Sequence, residues 1–208
     1  MEGQIYPLEP ERAADFFAFF DDVAFSDHPE WAFCYCTYYH RSDEEGRALD
    51  EAHKGEPGDW PRRVLRACAA ERIASGGMRG YLAYAGGRVV AWCNVNDKGA
   101  FGRLCASPEL WDEGENAKIK AVTCFIVAPE HRRKGLASAL LRRAAEDAAA
   151  KGYDFLEAYP QSGEHDQFEH YHGHPAMFAR CGFAPHKALE GYAAYRLALK
   201  GSEARPVE

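Results

Sequence analysis

The order of apolar and polar positions divides the first half of the chain into a strand, two helices and a hairpin. Residues 4–8 predict a short strand, and a helix follows from residue 10 with apolar positions at Phe16, Phe17, Phe19 and Phe20. A second helix is predicted from 59 to about 75, before two glycines. Residues 81–95 predict a hairpin turning at Gly86 and Gly87. Residues 26–58 show no clear periodicity.

The second half alternates strands and helices. Residues 119–127 form a run too apolar for a strand with a wet face, and 132–150 predict a long helix. A strand at 154–160, a short helix at 175–182 and a last strand at 193–199 complete the pattern. This order predicts an α+β protein, α/β-like in its second half, with a mixed, partly parallel central sheet flanked by helices.

Composition narrows the class of protein. The 208 residues are 47% hydrophobic and 27% charged, which is typical of one globular domain, here expected over 1–200 with a tail at 201–208. The net charge of −7 argues against nucleic acid as a partner. We find no apolar run long enough to cross a membrane and no signal-peptide pattern. The chain has seven cysteines, an odd number that does not suggest a set of disulfides. We therefore expect a cytoplasmic protein with reduced thiols and no membrane partner.

A basic turn joins the apolar strand to the long helix. The stretch Arg132, Arg133, Lys134 and Gly135 lies where the helix begins. Backbone N–H groups are unpaired at such a start, and a glycine lets a large anion approach them. Neither the GxxxxGK phosphate loop nor the GxGxxG dinucleotide pattern is present around it. The turn therefore predicts a different kind of pyrophosphate site.

The pattern Arg132-x-x-Gly135-x-Ala137 resembles the acetyl-CoA-binding motif of the GNAT superfamily of N-acetyltransferases. The strand before it, ending in Val-Ala-Pro, and the later pair Gly182-Phe183 fit the same resemblance. The resemblance implies a GNAT-type fold with acetyl-CoA as co-substrate. It also implies pyrophosphate and pantetheine contacts from the following residues: Phe125, Ile126, Val127, Arg132, Arg133, Lys134, Gly135, Leu136, Ala137, Ser138 and Phe178.

The residues that would move protons are less clear. Members of the family commonly carry a tyrosine as general acid where this chain has Phe178, which has no proton to donate. Tyr171, just before that helix, is the first substitute. His172 is a candidate base in a loop that also contains His165, His170 and His174. Glu157, in the strand after the long helix, either faces the cleft as a base or forms an ion pair at the sheet rim.

An aromatic and cysteine-rich segment, CYCTYYH, has two interpretations. Cys34, Cys36 and His40 could supply three zinc ligands, but their spacing is unusual and a fourth ligand is not evident, so no metal is expected. In the resembled family this region shapes the acceptor site. Tyr35, Tyr38 and Tyr39 are therefore candidate substrate-binding residues, although core packing is a common fate for such side chains.

Together these features predict an N-acetyltransferase that moves an acetyl group from acetyl-CoA to the amine of a small acceptor by direct attack. Two alternatives stay open: a non-catalytic acyl-CoA-binding or sensor domain, motivated by Phe178, and a protein or peptide acetyltransferase. The expected partner is a small-molecule amine, and a homodimer is compatible with the sequence.

Overall fold

The computed structural model describes residues 4–161 and 169–199, which share one seven-stranded sheet. The strands β1 to β7 are Gln4–Pro7, Gly80–Ala85, Arg88–Asp97, Ile119–Val127, Phe155–Ala158, Ala184–Ala188 and Ala193–Ala198. Their spatial order is β1-β2-β3-β4-β5-β7-β6. Neighbouring strands are antiparallel except for the parallel pair β4 and β5. The predicted α+β class with a partly parallel sheet is therefore confirmed.

Six α-helices within 4–161 and 169–199 flank the sheet. The helices α1 to α6 are Ala13–Asp22, Asp43–Ala52, Trp60–Ala74, Gly102–Cys105, Leu136–Ala150 and Pro175–Arg180. Short 3₁₀ turns connect several elements, among them Pro129–His131 before α5 and Glu169–His172 before α6. None of the helices in the described part of the chain has the length and apolar character that crossing a lipid bilayer requires.

The two faces of the sheet carry separate parts of the core. Along β3, Trp92 packs towards α1, in contact with Phe16 at a ring-centroid distance of 5.1 Å. The alternate residue Cys93 belongs to the opposite cluster with Leu140 and Leu141 of α5. This alternation follows from the two-residue period of a strand and explains why β3 reads as almost continuously apolar.

Several elements differ from the sequence prediction, among them the short helix α4, which falls in a region predicted as a loop. The helix α2 was missed because it buries no residue, and its start is fixed instead by a capping box between Ser42 and Glu45. The edge strand β6 is mostly exposed and has no apolar alternation to reveal it. The predicted helix start at 132 is wrong. Arg133 and Gly135 have φ of 61° and 83°, so α5 begins only at Leu136.

The parallel pairing of β4 with β5 is shorter than the pairing of β4 with β3. Within the described residues, β4 pairs with β5 only from Ile119 to Val122, although β4 continues to Val127. The β3 register shifts at the same point, since Asn94 faces Cys124 and Val95 faces Val122, which leaves Thr123 as an extra residue. Such a bulge bends a strand. Residues 123–127 thus diverge from β5 and leave one backbone edge open.

A close approach of β2 to β3 gives a stability prediction. A Cβ atom added at Gly80 would overlap the carbonyl oxygen of Cys93 and the indole ring of Trp92. We expect Gly80→Ala to lower the free energy of unfolding by about 2 kcal/mol or more, because the core cannot relax around both groups. Thermal unfolding measures this change. Gly99→Ala is the matched control, since nothing lies within 4 Å of its added Cβ. Equal melting temperatures for both variants would contradict the packing described here.

Candidate functional site

The turn before α5 forms a cradle of backbone groups. Gly135 is the N-cap of the helix, and within the described residues no side chain bonds to the first turn as a cap. The first N–H groups of a helix have no partner inside the helix and carry a partial positive charge. Nothing lies within 4 Å of a Cβ added at Gly135, so the space in front of the turn is open. These features fit a bound pyrophosphate.

The predicted basic residues of the cradle have different environments. Arg133 and Lys134 are exposed, and Leu136, Ala137 and Ser138 at the start of the helix are half-buried. Their backbone groups are the ones that border the open space.

Arg132 is occupied by protein groups. Its Nη1 and Nη2 atoms lie 2.5 and 3.1 Å from the carboxylate of Asp27, and its Nε donates to the carbonyl oxygen of Val127 at 3.1 Å. The Arg132 hydrogen bond lowers the pKa of Asp27 below its usual value, so the pair is charged at neutral pH. Arg132 therefore ties the loop after α1 to the end of β4.

The open half of β4 continues from this pair. Ile126 and Val127 are half-buried, whereas Phe125 is buried and packs on Phe178 at a ring-centroid distance of 6.1 Å. Phe178 is 0% exposed and also contacts Phe183 in the core. The ring of Phe178 thus packs against Phe125 of β4 within the core cluster on the α5 face, and its contact with the co-substrate stays a prediction.

Tyr171 and His172 lie over β4. Both belong to the turn Glu169–His172, which packs against that strand, and their rings are 4.0 Å apart. The Nε2 atom of His172 lies 3.1 Å from the hydroxyl oxygen of Tyr39. Burial raises the pKa of both Tyr39 and Tyr171 above the usual range, so each keeps its proton near neutral pH. The structure therefore joins the two predicted proton-transfer residues to Tyr39, for which only a binding role was predicted.

The other predicted histidines have different placements. His174 is the N-cap of α6, where its Nδ1 accepts from the N–H of Ala176 at 3.1 Å. His165 lies outside the described residues.

Glu157 is away from solvent. It is 0% exposed, and its two oxygens contact Lys98 at 2.7 Å and Arg196 at 2.9 Å, while the Tyr159 hydroxyl donates to it at 2.9 Å. Both carboxylate oxygens therefore have partners within the protein. This placement disfavours Glu157 as the general base and corresponds to the ion-pair alternative, in the sheet interior instead of at its rim.

A cavity of about 380 Å³ lies beside these residues. Its walls come from the segment 38–43, the region around α4, the end of β5 and the turn between β6 and β7. Tyr38, Tyr39 and His172 line it, as does Tyr159, which sequence analysis did not single out. No local motif marks Tyr159, because its position depends on how the sheet assembles.

Tyr35 and the cysteine segment belong to the core. Tyr35 is 0% exposed and donates to Asp21 at 2.5 Å, so the structure places it outside the cavity. The Sγ atoms of Cys36 and Cys124 lie 3.2 Å apart, and His40 Nε2 contacts Asn94. In the part of the chain that the structure describes, no three histidine, cysteine or acidic side chains gather as a metal site.

Comparison with known proteins agrees with this geometry. The model of the Acetyltransferase (GNAT) family matches residues 46–183, more than half of the chain. The chain therefore belongs to this family and is an acyltransferase, and the family uses acetyl-CoA as its acyl donor. The resemblance seen in the motif at 132–137 is confirmed, and the sensor alternative is disfavoured.

Solved structures share the fold. The GNAT domain of S. lividans PAT aligns over 95% of this chain and 90% of its own, with a TM-score of 0.56 and 19% identity. A GNAT acetyltransferase from Listeria monocytogenes aligns over 95% of both chains, with a TM-score of 0.55 and 13% identity. The Drosophila melanogaster polyamine N-acetyltransferase aligns over 94% of this chain and 100% of its own, with a TM-score of 0.51 and 12% identity. No curated protein sequence matches the chain.

The buried His40 gives a prediction of pH dependence. Burial and the charge of Arg72 lower the pKa of His40 from its usual 6.5 to about 4. The unfolded chain therefore binds one more proton than the folded protein between these two values, and stability falls as the pH drops from 6.5 towards 4. Between pH 6.5 and 4, we expect the free energy of unfolding of His40→Gln to fall by about 3 kcal/mol less than that of the wild type. Urea unfolding at several pH values measures the effect. Identical pH slopes in wild type and variant would contradict a buried, neutral His40.

Proposed function

We propose that the protein transfers the acetyl group of acetyl-CoA to the amine of a small acceptor held in the cavity. The observation that carries this proposal is one arrangement. The unpaired part of β4 leads to the start of α5, which has no side-chain cap among the described residues, and the turn with Tyr171 and His172 packs on the same strand. A long ligand that bonds to the turn before α5 and then follows the open edge of β4 passes Tyr171 and His172. Acetyl-CoA has this shape.

Each part of the co-substrate has a matching surface. The pyrophosphate is bound by the backbone of residues 133–138, with Arg133 and Lys134 adding charge. The pantetheine arm bonds to the open backbone edge at 125–127, as a further strand bonds to a sheet. A backbone N–H of this edge polarises the thioester carbonyl. The proposal gives Arg132 an indirect role, since its guanidinium is bound to Asp27 and Val127.

The chemical step needs no acyl-enzyme. The acceptor nitrogen attacks the thioester carbon, the C–N bond forms, and the C–S bond then breaks to release the thiolate of CoA. The amine proton passes through the Tyr39 hydroxyl to Nε2 of His172, which lie 3.1 Å apart. Tyr171 gives its proton to the leaving thiolate. In this proposal Tyr171 replaces the tyrosine that is absent at Phe178.

The cavity supports a small acceptor. A volume of about 380 Å³ lies within the range of small-molecule sites, and five parts of the chain contribute to its walls. A protein or peptide acceptor would need an open groove. A cytoplasmic location, a single domain over 1–200 and a homodimer stay predictions.

Titration of acetyl-CoA tests the cradle. We expect micromolar binding to the wild type and at least a hundredfold weaker binding to Gly135→Asp, because the new carboxylate stands where the pyrophosphate binds. Isothermal calorimetry measures both. Gly152→Asp is the matched control, since Gly152 also has positive φ, of 72°, and nothing within 4 Å of its added Cβ, but lies beyond the other end of α5. Equal affinities for all three proteins would exclude the cradle.

Steady-state kinetics test the proton-transfer residues. We expect Tyr171→Phe and His172→Gln each to lower kcat about a hundredfold while the Kd of acetyl-CoA changes less than threefold. Thiol release in the presence of a panel of amines gives the rates. Tyr84→Phe is the control, because it removes a hydroxyl that donates to Asp15 of α1, and Tyr84 does not line the cavity. If Tyr171→Phe retains wild-type kcat at every pH, Tyr171 is not the acid.

A further inference from the structure

A buried charged cluster lies directly behind the cavity and takes no part in acetyl transfer as described. Its members are Lys98, Glu157, Tyr159 and Arg196. Lys98 is 1% exposed, and its Nζ lies 2.7 Å from Glu157 Oε2, the same oxygen that accepts from Tyr159. Lys98 also donates to the carbonyl oxygen of Leu110 at 2.6 Å. Tyr159 and Leu110 both line the cavity.

Stability alone gives little reason for such a cluster. Removing two charges from water costs free energy. A protein with well-packed apolar side chains in place of a buried ion pair is often equally stable or more stable. A buried ion pair does fix geometry, because each atom has one position in which all its bonds are made. Here the cluster fixes the ring of Tyr159 and the wall at Leu110, which both belong to the cavity.

The direction of one hydrogen bond determines what Tyr159 can offer a ligand. Its only proton is donated to the carboxylate of Glu157. The remaining lone pair of the oxygen can only accept, and the neighbouring negative charge strengthens it as an acceptor. Glu157 thus makes Tyr159 specific for groups that donate hydrogen bonds.

The charged groups that line the cavity point to the same kind of ligand. Arg103 is paired with Asp43, lies over the Tyr38 ring at 3.8 Å and donates to the Tyr38 carbonyl oxygen at 3.1 Å, so its charge is satisfied. Glu190 also lines the cavity, is exposed, and forms no ion pair with any residue of 4–161 or 169–199. Among the described residues that line the cavity, Glu190 is therefore the one whose charge has no ion-pair partner.

We propose that Tyr159, oriented by Glu157, and Glu190 bind the far end of the acceptor, and that this end carries a second cationic, hydrogen-bond-donating group. The inference rests on the proposed acetyl transfer for the identity of the cavity. The substrate class is an amine with an ammonium or guanidinium at its other end. Glu157 is a positioning residue in this account, because it acts on the ligand through Tyr159.

Three four-carbon amines test the proposal: 1,4-diaminobutane, butylamine and 4-aminobutanoate. They share the reacting amine and differ in the far end, which is cationic, neutral or anionic. Thiol release gives kcat/KM for each, and calorimetry in the presence of CoA gives the Kd of each without turnover. We expect the wild type to prefer the diamine over butylamine at least tenfold in both measurements, and to bind 4-aminobutanoate worst.

Variants identify the residues that produce the preference. Tyr159→Phe keeps the ion pair of Lys98 and Glu157, so it is expected to fold, and it should reduce the diamine preference about tenfold through KM. Glu190→Gln should reduce it similarly. Glu113→Gln is the control, an exposed carboxylate that does not line the cavity. Adding Glu157→Gln to Tyr159→Phe should cause no further loss of the diamine preference, because Glu157 acts on the ligand through the Tyr159 hydroxyl. If Glu157 had only a structural role, the double variant would lose more of the preference than Tyr159→Phe alone.

The outcomes separate this inference from the proposed function. Binding preference for the diamine without any thiol release would uphold the recognition site and contradict acetyl transfer. Thiol release with equal kcat/KM for diamine and butylamine would uphold acetyl transfer and overturn the recognition site. A preference that survives in both Tyr159→Phe and Glu190→Gln would also overturn it.

Discussion

The divergence of β4 from β5 is the constraint on which the site depends. The extra residue Thr123 bends β4 immediately after the last pair with β5, Val122 with Ala158. An unpaired strand edge in the middle of a sheet would normally be covered by another strand. Here no strand in the described part of the chain pairs with the edge, which runs directly into the turn before α5. One continuous stretch of backbone therefore offers both strand-like and anion-binding groups.

The short strand β5 is held in this position by charges. Glu157 at its centre bonds to Lys98, which follows β3, and to Arg196 of β7. Arg196 extends the network to Glu115 at 2.5 Å. These contacts fix the segment after β3 against β5 and β7, and that segment forms one wall of the cavity. The shape of the cavity thus depends on this buried carboxylate.

Sequence patterns predict the parts of this structure that repeat locally. The apolar run of β4, the two glycines of the hairpin and the basic turn are each recognisable in a few residues. The helix α2 was missed because it packs no apolar face, and its capping box alone did not reveal it. The partners of Glu157 were missed for a different reason. Lys98 and Arg196 are distant in the sequence and meet only through the order of the strands.

The same limit applies to individual side chains of the site. Tyr35, Tyr38 and Tyr39 look equivalent in the sequence, but one lies in the core and the other two line the cavity. Their separation follows from the turn around Cys36, which has a φ of 53°. Such a turn changes the direction of successive side chains without any hydrophobic period to predict it.

The central claim is that the open edge of β4 and the turn before α5 bind one ligand together. Amide hydrogen exchange with and without acetyl-CoA tests it most directly, because it reports on backbone groups of both segments at once. The account predicts slower exchange in residues 123–127 and 133–138 when acetyl-CoA is added, with β2 unchanged. Protection that appears in other parts of the chain, while both segments exchange as before, would contradict it.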